Sequence, residues 1–271
     1  MPQSAMPTHY YRPQNNTGKL HSPNEKQMEK NDIIFGIRAV IEAIQAGKEI
    51  DKILIKKDLQ GELTSELYNL IREEKILSQR VPLEKLNRIT KKNHQGVIAF
   101  TSAISYQKIE DIIPTLFEEG KTPFIVVLDG ITDVRNFGAI ARTCECAGVD
   151  AIVIPERGSV SVQSDAIKTS AGALLSIPVC REKDLTRTIR LLKESGIHTI
   201  AANEKGSKIY TAATYSNPVA LILGAEDLGV DQERLRICDE IVKIPQYGVI
   251  ESLNVSVAAG ILVYEVVRNR N

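Results

Sequence analysis

From residue 124 onward the chain alternates short apolar runs with helix-patterned segments, and this alternation narrows its possible folds more than any other feature. Strands are expected at 124–128, 151–154, near Val179, at 198–202 and at 219–223, with helices predicted over 137–147, 165–175 and 185–195. The strand runs are nearly continuously apolar, as in strands covered on both faces. Joined by helices, they imply an α/β architecture with a mostly parallel sheet. Ligands of such sheets sit beyond the carboxyl ends of the strands.

The last segment, residues 244–267, reads IPQYGVIESLNVSVAAGILVYEVV. A loop containing Pro245 and Gly248 runs into Glu251-Ser252-Leu253-Asn254, then Ser256. Serine and asparagine cap helices because their side-chain oxygens accept from N–H groups that have no helical partner. Such a helix start also offers free backbone donors and the positive end of a dipole. Beyond it the helix is apolar almost all round, which predicts burial on every side.

Upstream, residues 1–31 hold almost no aliphatic side chains and are expected to form a flexible tail. Residues 32–104 alternate helix and strand in a small α/β domain. Ile37, Val40, Ile41 and Ile44 mark its first helix, with Gly47 at the C-cap position. Its positive charges include the cluster Arg88, Lys91, Lys92 and His94, a candidate surface for RNA phosphates that ordinary solvation explains equally well. Residues 105–121 read as a polar linker carrying one helix interrupted by Pro114, and residues 122–271 as the second domain.

Formal net charge is +0 over 271 residues, so any polyanion-binding surface must be local. Cys144, Cys146, Cys180 and Cys238 lack C-x-x-C spacing and histidine neighbours. They read as thiols in a reducing compartment, with no metal site expected. Without a membrane-length apolar run or a signal-peptide core, the chain is expected to be cytoplasmic.

Three loops after strands of the second domain carry the chemistry. The first, 128–148, contains Asn136, expected to cap a helix, with Gly138 and Arg142 four residues apart on one face. The second, 221–230, places Gly224, Glu226 and Gly229 after a buried strand, where a tight turn is expected. The third is the run into the last helix. No phosphate-binding P-loop, no G-x-G-x-x-G fingerprint and no G-x-S-x-G elbow occurs, which counts against NTP hydrolysis, dinucleotide-dependent redox chemistry and a serine hydrolase.

Taken in order, the three loops resemble the three motifs of the SpoU (TrmH-type) branch of the SPOUT RNA ribose 2′-O-methyltransferases. They are Asn136, Gly138 and Arg142; then Gly224, Glu226 and Gly229; then Ile244, Pro245, Gly248, Ser252, Leu253, Asn254, Val255, Ser256 and Ala258. FGIRAVIEAIQAG and HQGVIAF resemble the ribosomal-protein-L30e-like substrate-binding domain attached to many members. The resemblance is nearest to bacterial enzymes that methylate a guanosine ribose of large-subunit rRNA. It implies a C-terminal parallel-sheet domain with a deep trefoil knot, S-adenosylmethionine as cofactor, an RNA partner and a homodimer. By motif position it assigns cofactor contacts to Gly224, Ile244 and Leu253, and the catalytic pocket to Asn136, Arg142, Glu226, Ser252 and Asn254. The family proposal makes Arg142 a general base. An arginine almost never gives up its proton, so a charged Arg142 that holds phosphate and stabilises the developing alkoxide is the milder alternative. A tRNA target and a non-catalytic RNA-binding protein of the same fold are the other readings.

Overall fold

A computed structural model describes residues 33–215, 217–250 and 252–270, so the expected tail at 1–31 lies outside the described residues. The first unit is built on β1 (Ile33–Phe35), α1 (Ile37–Gln45), β2 (Ile50–Lys56), α2 (Glu62–Glu73), β3 (Ser78–Val81), α3 (Leu83–Ile89) and β4 (Val97–Thr101). Its sheet runs β1-β4-β2-β3, antiparallel except for β2 beside β3. Successive residues of β2 face opposite ways. Ile53 and Ile55 therefore join Val40, Ile41 and Leu67 of α1 and α2, while Leu54 packs with Leu86 of α3.

The remaining elements are α4 (Ile109–Glu118), β5 (Phe124–Asp129), α5 (Val134–Cys146), β6 (Ala151–Pro155), α6 (Ser164–Thr169), β7 (Val179–Glu182), α7 (Leu185–Glu194), β8 (His198–Ala202), β9 (Lys208–Ile209), β10 (Val219–Gly224), α8 (Gln232–Ile237), β11 (Glu240–Lys243) and α9 (Val255–Arg270). The seven strands form one parallel sheet in the order β7-β6-β5-β10-β8-β11-β9. Every residue of β5 is buried, and alternate ones face different cores. Val126 and Leu128 pack with α5 and α9 through Phe137, Ile140, Leu262 and Val263. Ile125 and Val127 pack with α4, α7 and α8 through Ile113, Ile189 and Leu235. The chain builds outward from β5 through β6 to β7, then returns to place β10 on its other side. That reversal opens a crevice at the carboxyl ends of the central strands.

Several expectations change. Within residues 105–121 the expected helix is not interrupted: α4 continues through Pro114 and buries Ile109, Ile112, Ile113 and Leu116 in the second core. The helix expected over 165–175 stops after Thr169, because Ala171 and Gly172 take φ of 52° and 88° before a short 3₁₀ turn. The last helix is not buried all round, since Val257 and Tyr264 are each 51% exposed. Strand β11 and helix α8 carry charged residues at half of their positions and show no clear periodicity in the sequence. Among the described residues no helix is long and apolar enough to cross a membrane.

Candidate active site

Gly224 is the last residue of β10, and the chain folds back on itself there. A Cβ on Gly224 would lie 1.9 Å from the carbonyl carbon of Gly229, so no other residue fits. The fold-back is closed by the Gly229 amide donating to the Ala225 carbonyl at 2.8 Å, with Gly229 at φ 67°. Asp129, at the end of β5, anchors the loop. Its carboxylate accepts from Arg234 Nη1 at 2.6 and 2.7 Å and from the Asp231 amide at 3.0 Å, and its carbonyl accepts from the Ala225 amide at 3.0 Å. Neither Asp129 nor Arg234 stands out in the sequence; a lone carboxylate at a strand's carboxyl end is the only signal.

The turn projects Glu226 towards the start of α9, where the three motif loops meet. Glu226 Oε1 accepts from Asn136 Nδ2 at 3.2 Å, from the Val255 amide at 3.2 Å and from Asn254 Nδ2. Asn254 Nδ2 also donates to Asn136 Oδ1 at 3.0 Å. Asn254 caps α9 as expected, its Oδ1 accepting from the Ser256 amide at 3.0 Å. A carboxylate at the first amide of α9 is further favoured by the helix dipole.

Asn136 is not the cap of α5. That helix begins earlier, with Asp133 Oδ1 accepting from the Asn136 amide at 2.8 Å, which leaves the Asn136 side chain free to cross to Glu226. Gly138 does admit a close neighbour, but the neighbour is α6: a Cβ there would sit 2.2 Å from Thr169 Oγ1. Arg142 is exposed and makes no hydrogen bond or ion pair with the described residues. It follows Asn136 by six residues, about 9 Å along the helix, and lies outside the cleft.

The cleft beside Glu226, of about 200 Å³, is lined by all three expected cofactor contacts, Gly224, Ile244 and Leu253, and by Ser252. Leu223 and Val242 supply apolar wall; Glu204, Glu226 and Asp227 supply the charge, with no lysine, arginine or histidine among the lining residues. The expected RNA-contacting residues stand apart from it on the first unit. Arg88, Lys91 and Lys92 are exposed there, with Lys92 Nζ 5.3 Å from the Phe35 ring centroid. His94 does not join them. It is 7% exposed, its Nδ1 accepts from the Gly96 amide at 3.0 Å, and Nε2 bonds Asn87 Oδ1 at 2.9 Å. One ring nitrogen is spent on the turn before β4 and the other on Asn87 of α3.

Comparison with known proteins identifies the family. Residues 123–264 match the model of the SpoU rRNA Methylase family, and residues 33–107 match the RNA 2′-O ribose methyltransferase substrate-binding domain. YacO of Bacillus subtilis strain 168, placed in the TrmH family of tRNA/rRNA methyltransferases, is 33% identical over 243 residues, 90% of this chain and 98% of that protein. Among solved structures, an AdoMet-bound rRNA methyltransferase from Sinorhizobium meliloti aligns with TM-score 0.56 at 26% identity over 90% of each chain. The SpoU methyltransferase AviRb of Streptomyces viridochromogenes, in complex with AdoMet, shares the fold with TM-score 0.56 at 20% identity, covering 91% of this chain and 94% of that one. The chain belongs to the SpoU methylase family, a family of RNA 2′-O ribose methyltransferases.

Proposed function

We propose that this protein transfers a methyl group from S-adenosylmethionine to the ribose 2′-hydroxyl of a guanosine in large-subunit rRNA. The observation that carries the cofactor reading is the charge of the cleft. Three carboxylates and no basic residue line it, which suits a sulfonium cation and disfavours a phosphate-bearing cofactor. The AdoMet-bound rRNA methyltransferase of Sinorhizobium meliloti supports both cofactor and substrate class. The double designation of YacO keeps tRNA as the second reading.

When bound, S-adenosylmethionine supplies an electrophilic methyl group. The chain's own residues hold the reactants. Gly224, Ile244 and Leu253 would pack the cofactor, while Asn136, Glu226, Ser252 and Asn254 would fix the ribose beside it. Arg142, as a charged guanidinium, would hold an RNA phosphate and stabilise the alkoxide as the hydroxyl loses its proton. Residues 32–104 would hold the RNA through Arg88, Lys91 and Lys92, and residues 122–271, with α4, would carry catalysis. The C-terminal chain would be threaded as the trefoil knot of the family, in a cytoplasmic enzyme.

The working form would be a homodimer. Arg142 lies outside the cleft of its own chain, while Tyr247 and Val249 are 96% and 98% exposed and the outer face of α9 is uncovered. A second copy over that face would bring its Arg142 to this cleft. Mixing Arg142→Ala with Glu226→Ala protein should then restore part of the activity that each lacks alone; no recovery in verified mixed dimers would rule out the shared site.

The decisive assay is transfer of labelled methyl to purified unmodified large-subunit rRNA and, separately, to tRNA, with the label mapped to nucleotide and atom. Label on an rRNA ribose oxygen is expected. Label on tRNA alone would replace the substrate, and none on either would leave an RNA-binding protein. Arg142→Ala should lower turnover by on the order of 10²–10³-fold with cofactor affinity unchanged.

A further inference from the structure

The first unit is fastened to the edge of the seven-stranded sheet by a buried carboxylate that the methyl-transfer site does not use. Asp51, in β2, is 3% exposed and pairs with the guanidinium of Arg181 in β7. It also accepts from the Ser161 hydroxyl at 2.5 Å and the Tyr106 phenol at 3.2 Å. The Arg181 guanidinium lies 3.5 Å from the Tyr106 ring centroid and donates to the Asp51 carbonyl at 3.4 Å. Burial raises the Tyr106 phenol to about 12, which keeps it a donor at ordinary pH. The phenol oxygen in turn accepts from the Val162 amide at 3.2 Å. Buried ion pairs cost desolvation unless every group is met, so a seam of this kind fixes geometry more than it adds adhesion.

The same seam reaches the site. Ser161 and Val162 lie in the loop after β6, where the neighbouring Val160 amide donates to the Ile131 carbonyl at 3.0 Å. Ile131 begins the loop that ends in Asp133, the cap of α5, whose first turn carries Asn136. Strand β7 stands three strands from β10 in the sheet, about 15 Å at the usual spacing. Both strands present their carboxyl ends on the same side. The first unit is therefore held to one side of the cleft, at its level, by contacts that lead to the loop before α5 and its Asn136.

We propose that the Asp51–Arg181–Tyr106 junction acts as a ruler: by fixing the offset between the RNA-holding unit and the cleft, it selects which nucleotide presents its ribose. The inference rests on the methyl-transfer reading above. Asp51, Arg181 and Tyr106 are positioning residues that touch neither RNA nor cofactor. A looser junction would let a bound RNA offer neighbouring nucleotides and would spread the product.

The test uses the full chain with Tyr106→Phe and Asp51→Asn. The first removes the phenol's bonds but keeps the ring under Arg181; the second removes the charge but keeps the shape. If Asp51→Asn fails to fold, Tyr106→Phe carries the test. At a temperature where circular dichroism shows the proteins folded, label from S-adenosylmethionine is mapped along large-subunit rRNA, and cofactor affinity is measured by calorimetry. Cofactor affinity should be unchanged. The value of kcat/KM at the wild-type nucleotide should fall on the order of tenfold to a hundredfold, with new label at adjacent nucleotides. Label confined to the wild-type nucleotide in the folded variants, whether at full or reduced rate, overturns the ruler. A wild-type protein that transfers no label refutes the methyl-transfer reading, and the ruler with it.

Discussion

Two polar clusters hold this molecule together across long stretches of chain, and they differ in how far water reaches them. At the mouth of the cleft, two asparagines and a backbone amide converge on one oxygen of Glu226, an exposed residue. At the seam between the sheets, a guanidinium, a phenol and a hydroxyl converge on Asp51, and its carboxylate is almost wholly buried. A buried carboxylate must have its lone pairs met by fixed partners, because bulk solvent does not reach it. An exposed one can leave an oxygen to solvent, which a ligand can then displace. The first arrangement suits a site and the second a joint.

This contrast predicts that the seam responds in stability and the mouth in rate. Asp51→Ala leaves Arg181 buried without its partner and should cost about 3–5 kcal/mol in urea melts. A loss below about 1 kcal/mol would show that water already satisfies the seam. Glu226→Ala should lower methyl transfer on the order of a hundredfold by releasing both asparagines, with a much smaller shift in the same melts. An equal loss of stability would erase the distinction. Asn254→Ala should fall between, because it removes a helix cap worth about 1 kcal/mol and also one arm of the cluster. Measuring both melt and rate on that variant separates the two contributions.

The smallest effect concerns a third, half-buried group where β8 meets β11. Burial pushes the Asp239 carboxyl up, but bonds from Thr199 and Lys193 outweigh it and hold it below its usual range. Glu240 is likewise held low, with Lys208 and His198 overcoming burial. Depressed folded values mean that this stability is present above the ordinary carboxylate range, near pH 4, and is lost as pH falls through the folded values. Melting temperature should therefore be set by other groups down to about pH 5 and decline below about pH 4. Asp239→Asn with Glu240→Gln should flatten that acid decline; an unchanged acid limb would show that the two contribute nothing.

Much of the architecture was legible in the residues, because period and chemistry act locally. The central strands and α1 and α7 lie close to where their apolar spacing predicts them. The boundary of α5 was misplaced because Asp133 and Asn136 are both acceptable caps, and only the helix backbone decides between them. The helix over 165–175 breaks because Ala171 adopts a left-handed conformation, which its identity does not announce. Pro114 looked like an interruption, yet the buried face of α4 carries the helix through it. His94 reads as part of a basic cluster, and only the packing of the turn against α3 shows both nitrogens occupied.

The sequence alone determined the fold class, the family and the kinds of residue each motif offers, since these depend on order, spacing and side-chain chemistry within one loop. Which side chains meet was decided by the tertiary structure. Asn136 and Glu226 are 90 residues apart, Asn136 and Asn254 are 118, and Asp51 and Arg181 are 130. Those encounters follow from the order in which the strands insert into the sheets, which depends on packing over the whole chain. Arg142 shows the same division: its motif names it for the cleft, but six residues of α5 separate it from Asn136 and it does not line the cleft.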